Sequence, residues 1–200
     1  MTRAAKYKRK VAPEFLAVSL TRAKEHLKSE GIDVEDDLIT AYIEAATEWA
    51  QDYAQKAFMK QVYEVFLNNW PHHSCVELAQ YNPVQSVELV EYKTAEGTYT
   101  ELSTSNYITD LNGPVAKVHF INNLPSLQSN QVDRVRITVT CGYSSSAEES
   151  VQREELDKRA VSAILLKVAE MHLYREDRQQ KNGNLTAAEY LLHPLRSSIT

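Results

Sequence analysis

The sequence predicts an α+β fold that is mainly helical, with long helices packed against a small antiparallel β lobe inserted between them. Three observations carry this reading. Apolar residues recur at helical spacing from Leu38 to Phe58, alternate at period two between Gln61 and Thr140, and return to a helical run from Ala160 to Tyr174. Strands and helices do not interleave, which argues against a doubly wound parallel sheet. The expected parts are a basic N-terminal arm (1–17), N-terminal helices (18–60), an antiparallel β region (61–143) and C-terminal helices with a tail (144–200). Residues 18–200 are expected to form one domain.

Taken in order, Thr21 can cap a short helix through Leu27, because its hydroxyl can accept an orphan backbone N–H, and Gly31 stops it. The acidic residues Asp33, Glu35, Asp36 and Asp37 favour the start of the next helix as caps and through the dipole. That helix carries Ile39, Tyr42, Ile43, Ala46, Trp49, Ala50 and Tyr53 as an apolar stripe. "QVYEVFLNNW" reads as a strand. "VQSVELVEYK" alternates with Val87, Leu89 and Glu91 on one face and Glu88, Val90 and Tyr92 on the other, and "TAEG" turns it back into "TYTEL". "NYITD" and "AKVHFI" flank the turn Leu111 to Pro114, and "RVRITVTCGY" is the last strand. A helix then gathers through "AEESVQREELDKRA", with Glu154/Lys158 and Glu155/Arg159 spaced for i,i+4 pairing. From Ala160 to Tyr174 it is apolar almost all round, so it needs cover on more than one side, from its own chain or a neighbouring subunit.

Composition narrows the function classes. With 200 residues, 43% hydrophobic and 24% charged, the chain can bury a core without disulfide staples. Cys75 and Cys141 show no C-x-x-C spacing and read as thiols in a reducing compartment. No apolar run approaches the ~18–20 residues that cross a bilayer, and Met1 to Lys10 lacks the apolar segment of a signal peptide, so no membrane partner is expected. The net charge of −5 is uneven: Arg3, Lys6, Lys8, Arg9 and Lys10 stand in the first ten residues, which hold no acidic side chain. The remainder is strongly acidic and a poor non-specific ligand for nucleic acid. The basic arm is expected to be mobile, or to order on DNA or an acidic protein surface.

Catalytic and metal chemistry find little footing. His72, His73 and Cys75 in "WPHHSC" are the densest set of possible ligands, but a metal needs a further group in fixed geometry, and a solvated loop after Pro71 explains them. His26, His119 and His172 have no motif that places a nucleophile and an orienting acid beside them. No phosphate-cradling glycine loop is present among five glycines. The expectation is a protein that is not an enzyme, with no catalytic residues, no cofactor and no metal. Eleven tyrosines against four phenylalanines supply amphipathic contact area suited to half-buried sheet positions and to interfaces.

Read as a whole, the chain resembles the head–tail connector, or head-completion and adaptor, proteins of tailed bacteriophages and prophages. Thr21, Lys24 and Leu27 in "VSLTRAKEHLK" match that family's opening segment. Asp37, Leu38, Ile39, Ile43, Ala45, Ala46 and Tyr53 fall at the familiar places of its long helix. Pro83, Val84, Val87, Tyr92, Gly97 and Tyr107 resemble its proline-led strand and hairpin, and Gly142-Tyr143 its Gly-Tyr strand end. Leu173, Tyr174 and Arg178, then Leu191, Leu192, Pro194 and Arg196, resemble its third helix and terminal segment.

The resemblance implies a non-enzymatic virion subunit at the head–tail junction, made in the cytoplasm of the infected bacterium. It implies self-assembly as a ring of about a dozen copies under the portal protein after DNA packaging. Such a ring extends the DNA channel, lets DNA pass without specific binding, and offers a docking surface to stopper or tail-completion proteins. The candidate interaction residues are Arg3, Lys6, Lys8, Arg9 and Lys10 of the arm, Tyr42, Trp49 and Tyr53 of the long helix, and Arg159 and Arg175 at the margins of the third helix. The alternative is a small adaptor or nucleic-acid-binding module acting through the basic arm.

Overall fold

The computed structural model describes residues 2–3, 6–31, 33–72, 74–121, 123–174 and 185–196. Helix α1 (Leu20–Leu27) is capped by Ser19, whose hydroxyl accepts from the Arg22 amide, so Thr21 lies inside the helix instead of capping it. It ends at Lys28 in the left-handed conformation, ahead of Gly31. Helix α2 (Asp36–Ala54) carries Asp36 and Asp37 in its first turn, against the positive end of its dipole. The Lys24 ammonium donates to Asp33 at 2.8 Å and Asp36 at 2.7 Å, tying α1 to the approach to α2.

The helix expected to gather from Glu149 onward is two helices. Helix α3 (Glu149–Glu155) and helix α4 (Lys158–Leu173) are separated at Leu156, and the Asp157 carboxylate caps α4 by accepting from the Arg159 amide at 2.8 Å. Glu155 and Arg159 therefore stand on different helices, and Arg159 forks onto Asp157. Helix α5 (Ala187–Leu192) opens with a reciprocal Thr186/Glu189 capping box and packs on α4, which also meets α2 and α1. Ile39, Ile43, Ala46, Ala50, Leu156, Ile164, Val168 and Leu192 form the core of this half.

The described residues also hold nine strands: β1 (Thr2–Arg3), β2 (Lys6–Val11), β3 (Gln61–Leu67), β4 (Cys75–Leu78), β5 (Val84–Lys93), β6 (Tyr99–Glu101), β7 (Tyr107–Asp110), β8 (Ala116–Phe120) and β9 (Val135–Cys141). They form a five-stranded sheet in the order β2-β3-β9-β5-β6 and a four-stranded sheet in the order β1-β4-β8-β7. All pairings are antiparallel except β1 with β4. Val65, Val135, Ile137 and Val139 of the larger sheet share a second core with Val76, Leu78, Val118 and Phe120 of the smaller one.

This corrects the expected fold class. Of the described residues, about 35% are helical and about 27% lie in strands, so the fold is not mainly helical and the β part is no small lobe. It has two sheets and an apolar core of its own. The expected free arm is corrected as well, because Lys6–Val11 is the edge strand paired to β3. A bulge between Val87 and Leu89 also changes the side-chain parity of β5, so Val87 and Val90 both pack on the inner core.

The two halves meet at a buried amide cluster. The Gln51 Oε1 of α2 accepts from the Phe58 amide at 2.9 Å and from Gln61 Nε2 at 2.7 Å, and Gln61 Oε1 accepts from the Tyr63 hydroxyl at 3.2 Å. Beside it, the Gly142 amide donates to the Pro83 carbonyl at 2.9 Å and the Tyr143 amide to the Phe58 carbonyl at 3.2 Å. The Gly-Tyr pair at the end of β9 thus closes the junction.

Candidate interaction surfaces

Alternation along β2 sends its basic residues in two directions. Tyr7 and Arg9 turn inward, opposite Val65 and Tyr63. The Tyr7 ring meets Tyr81 edge-on at 5.9 Å, and Tyr81 stacks on Tyr63 at 4.3 Å. Burial pushes the Tyr7 and Tyr63 phenols well above the ordinary tyrosine range. Arg9 bonds Glu48 of α2, which fastens the edge strand to the helical half and holds the guanidinium above its usual value.

Lys6, Lys8 and Lys10 stand on the outer face of the five-stranded sheet, where Lys6 and Lys8 register with Phe66 and Glu64. Lys10 Nζ lies 3.3 Å from Glu64, and Lys6 Nζ lies 3.6 Å from Asp133. In the middle of this face, Arg136 forks onto Glu91, with Nε to Oε2 at 2.7 Å and Nη2 to Oε1 at 2.9 Å, beneath the Tyr99 ring. Thr140 donates to Glu88 at 3.0 Å, and hydrogen bonds from Ser86 and Thr140 hold the Glu88 carboxyl below its usual range. The charged residues Glu64, Glu91 and Arg136 were not singled out from sequence, although their place between Val135 and Ile137 and along β3 and β5 is the polar half of an alternating strand.

Arg3 falls in β1, in register with Glu77 of β4. Tyr42, Trp49 and Tyr53 are half-buried against the helical core. Trp49 stacks on Tyr53 at 6.0 Å, under Lys167 of α4, and Arg196 lies over Tyr53 at 5.2 Å. Much of their aromatic area is therefore spent within the chain. Arg159 is half-exposed and paired to Asp157, and Arg175 lies outside the described residues. Helix α4 finds cover on most sides, but Leu166 is 37% and Leu173 70% exposed. The outward side of α2 is a stripe that sequence reading did not single out: Asp37, Ala41, Glu44, Ala45, Glu48 and Asp52 are all exposed.

The possible metal and catalytic residues do not assemble. His73 lies outside the described residues, and Cys75 faces His119 across β4 and β8 with Sγ to Nε2 at 4.0 Å. Burial pushes the Cys75 thiol up, away from the thiolate a metal or a nucleophilic reaction requires. His172 pairs with Glu35 at 3.1 Å at the end of α4. Among the described residues, no group of three or more His, Cys, Asp or Glu side chains is placed to hold a metal, and no helix is long and apolar enough to cross a membrane.

No family model matches the chain, and no curated protein matches it significantly in sequence. Solved structures do match over nearly its whole length. A chain in the neck of an empty gene transfer agent particle computed with C6 symmetry superposes with a TM-score of 0.79 at 19% identity, over 98% of this chain and 97% of that one. Chains in the virion of a native gene transfer agent particle and in its neck computed with C12 symmetry give TM-scores of 0.77 and 0.76, each at 18% identity and the same coverage. Over nearly its whole length the chain thus has the fold of a chain found in the neck of these gene transfer agent particles.

Proposed function

We infer that the chain is a structural, non-enzymatic head–tail connector subunit that assembles as a ring under the portal of a phage-like particle after DNA is packaged. The observation that carries this reading is the match of the entire fold to chains from particle necks computed with C6 and C12 symmetry. A ring extends the DNA channel and presents a surface to stopper or tail proteins. The acidic balance outside the first ten residues suits a channel through which DNA slides, since like charge withholds the phosphate contacts that would grip it. The connector protein belongs to the virion and is made in the bacterial cytoplasm. The alternative of a free basic arm that binds nucleic acid has less support, because Lys6–Val11 is paired in a sheet and Arg9 is bonded to Glu48.

The test is imaging of DNA-filled heads made with and without this chain. Heads lacking it are expected to miss one ring of density below the portal and to fail to join tails. Normal tailed particles in its absence, or one or two copies per particle in its presence, would overturn the reading.

A further inference from the structure

Two oppositely charged rows on this chain match in length and face different ways. Glu44, Glu48 and Asp52 repeat every four residues on the exposed side of α2, a rise of about 6 Å per step. Lys6 and Lys8 stand two residues apart on the outward side of β2, about 6.7 Å, and Lys10, at the bulge between Arg9 and Val11, still reaches Glu64 of that face. Three carboxylates over about 12 Å are thus matched by three ammonium groups over a row no longer than about 13 Å. Ala41 and Ala45 keep the exposed side of α2 low, which leaves room for a strand to approach.

The rows do not satisfy each other within one chain. Arg9, which turns the other way from the lysines, is the β2 residue that bonds Glu48. The lysine row therefore looks away from the helix that its own strand is fastened to. The Lys6 and Lys10 side chains remain 61% and 47% exposed, and Lys8 has no ion-pair partner among the described residues. Glu48 stays 48% exposed despite Arg9. Complementary patches on different sides of one subunit are what a head-to-tail contact requires, because the same patch never meets itself.

We propose that the Lys6-Lys8-Lys10 row of one copy docks on the Glu44-Glu48-Asp52 row of the next. The inference rests on the ring reading and names the contact that closes it. It also answers a problem of charge. Neighbouring copies, each with 17 basic and 27 acidic residues beyond the first ten, repel one another, and a basic row seated between them offsets that repulsion. The contact sets register and partner orientation, and weakens with salt.

The test uses the full chain and a carbodiimide, which joins a lysine amine to a touching carboxylate. A one-to-one mixture of isotopically heavy and light protein distinguishes links between copies from links within one. Links from Lys6, Lys8 or Lys10 to Glu44, Glu48 or Asp52 between heavy and light copies are expected, falling about tenfold in Lys8→Glu, read through Lys6 and Lys10, and in Glu44→Lys/Asp52→Lys, read through Glu48. Lys6→Glu/Lys8→Glu/Lys10→Glu, which keeps no amine in the row to link, is compared with Glu44→Lys/Asp52→Lys by sedimentation. Mixing the two variants restores association, because each reversed row then meets a complementary one. Lys8→Glu alone serves as the second variant where the triple change disturbs folding. Links between copies that map elsewhere, or variants that associate like the parent, overturn the proposal while leaving the connector reading intact. Absence of the chain from particle necks overturns that reading instead.

Discussion

Gly142 lies so close to Met59 that a Cβ built on it would stand 2.8 Å from the Met59 carbonyl oxygen and 2.9 Å from the Lys60 backbone. The obstacle is main chain at the start of β3, so no rotamer change relieves it. Gly142 also holds φ at +139°, a region that side chains disfavour. The glycine is therefore what lets the end of β9 pass the junction between the two halves.

Gly142→Ala is expected to cost about 2–4 kcal/mol, from the clash together with the strained backbone. Urea denaturation monitored through Trp49 and Trp70 fluorescence measures it. A loss under about 0.5 kcal/mol would mean that the junction can open to admit a methyl group.

Acid should weaken α4 through its cap. Arg159 and the backbone hydrogen bond hold the Asp157 carboxyl below its ordinary 3.8, so the folded state favours the ionised form. Its contribution is full above about pH 4 and is lost as pH falls through the lower folded value. Asp157→Ala should cost about 1 kcal/mol at pH 7, and Asp157→Asn, which keeps a capping oxygen, less. The gap between parent and Asp157→Asn should narrow from pH 5 to pH 3. A constant gap would show that the charge contributes nothing.

Helix α2 and strands β3 and β9 are legible in the sequence because each buries one face and declares a period. Ile39, Ile43, Ala46 and Ala50 recur at helical spacing, and Val135, Ile137 and Val139 alternate. Strand β2 is hidden because four of its six residues are basic, and charge reads as solvent exposure even where Tyr7 and Arg9 turn inward. The split between α3 and α4 is hidden because Leu156 stands at helical spacing before Ala160, Ala163 and Ile164, while α4 begins anew under the side-chain cap of Asp157. Among the candidate surfaces, the five basic residues are visible as composition. Which of them face outward depends on pairing with β3, and the exposure of Glu44 and Asp52 depends on which side of α2 meets α4; neither is a local property of the chain.

The two thiols should differ sharply in reactivity. Burial pushes Cys141 up to about 12, and it is fully enclosed, whereas Cys75 is raised by burial but half-exposed. At pH 8 a group at that value is thiolate in roughly one molecule in ten thousand. An aromatic disulfide reagent should label at most one thiol in the folded protein, at Cys75, and two in denaturant. Rapid labelling of Cys141 in the folded state would show that the β9 end opens readily.

The N-terminal strand should be part of the fold's stability. A free arm could be deleted without moving the melting temperature, but β2 carries Tyr7 into the inner core and holds α2 through Arg9 and Glu48. Losing a half-buried tyrosine, an edge strand and that ion pair should cost about 3 kcal/mol, or roughly 6–12 °C for a domain of this size. Deletion of residues 2–10 is thus expected to lower the midpoint by that amount in a thermal melt followed by circular dichroism. Two further variants separate the faces of the strand. Tyr7→Ala with Arg9→Ala should reproduce most of the loss, because both side chains are spent on packing within the chain. Lys6→Gln with Lys8→Gln should move the midpoint little, since exposed charges of this kind contribute about 0–1 kcal/mol. A deletion with an unchanged midpoint would show that β2 does not hold the sheet edge, and would remove the platform on which the lysine row is displayed.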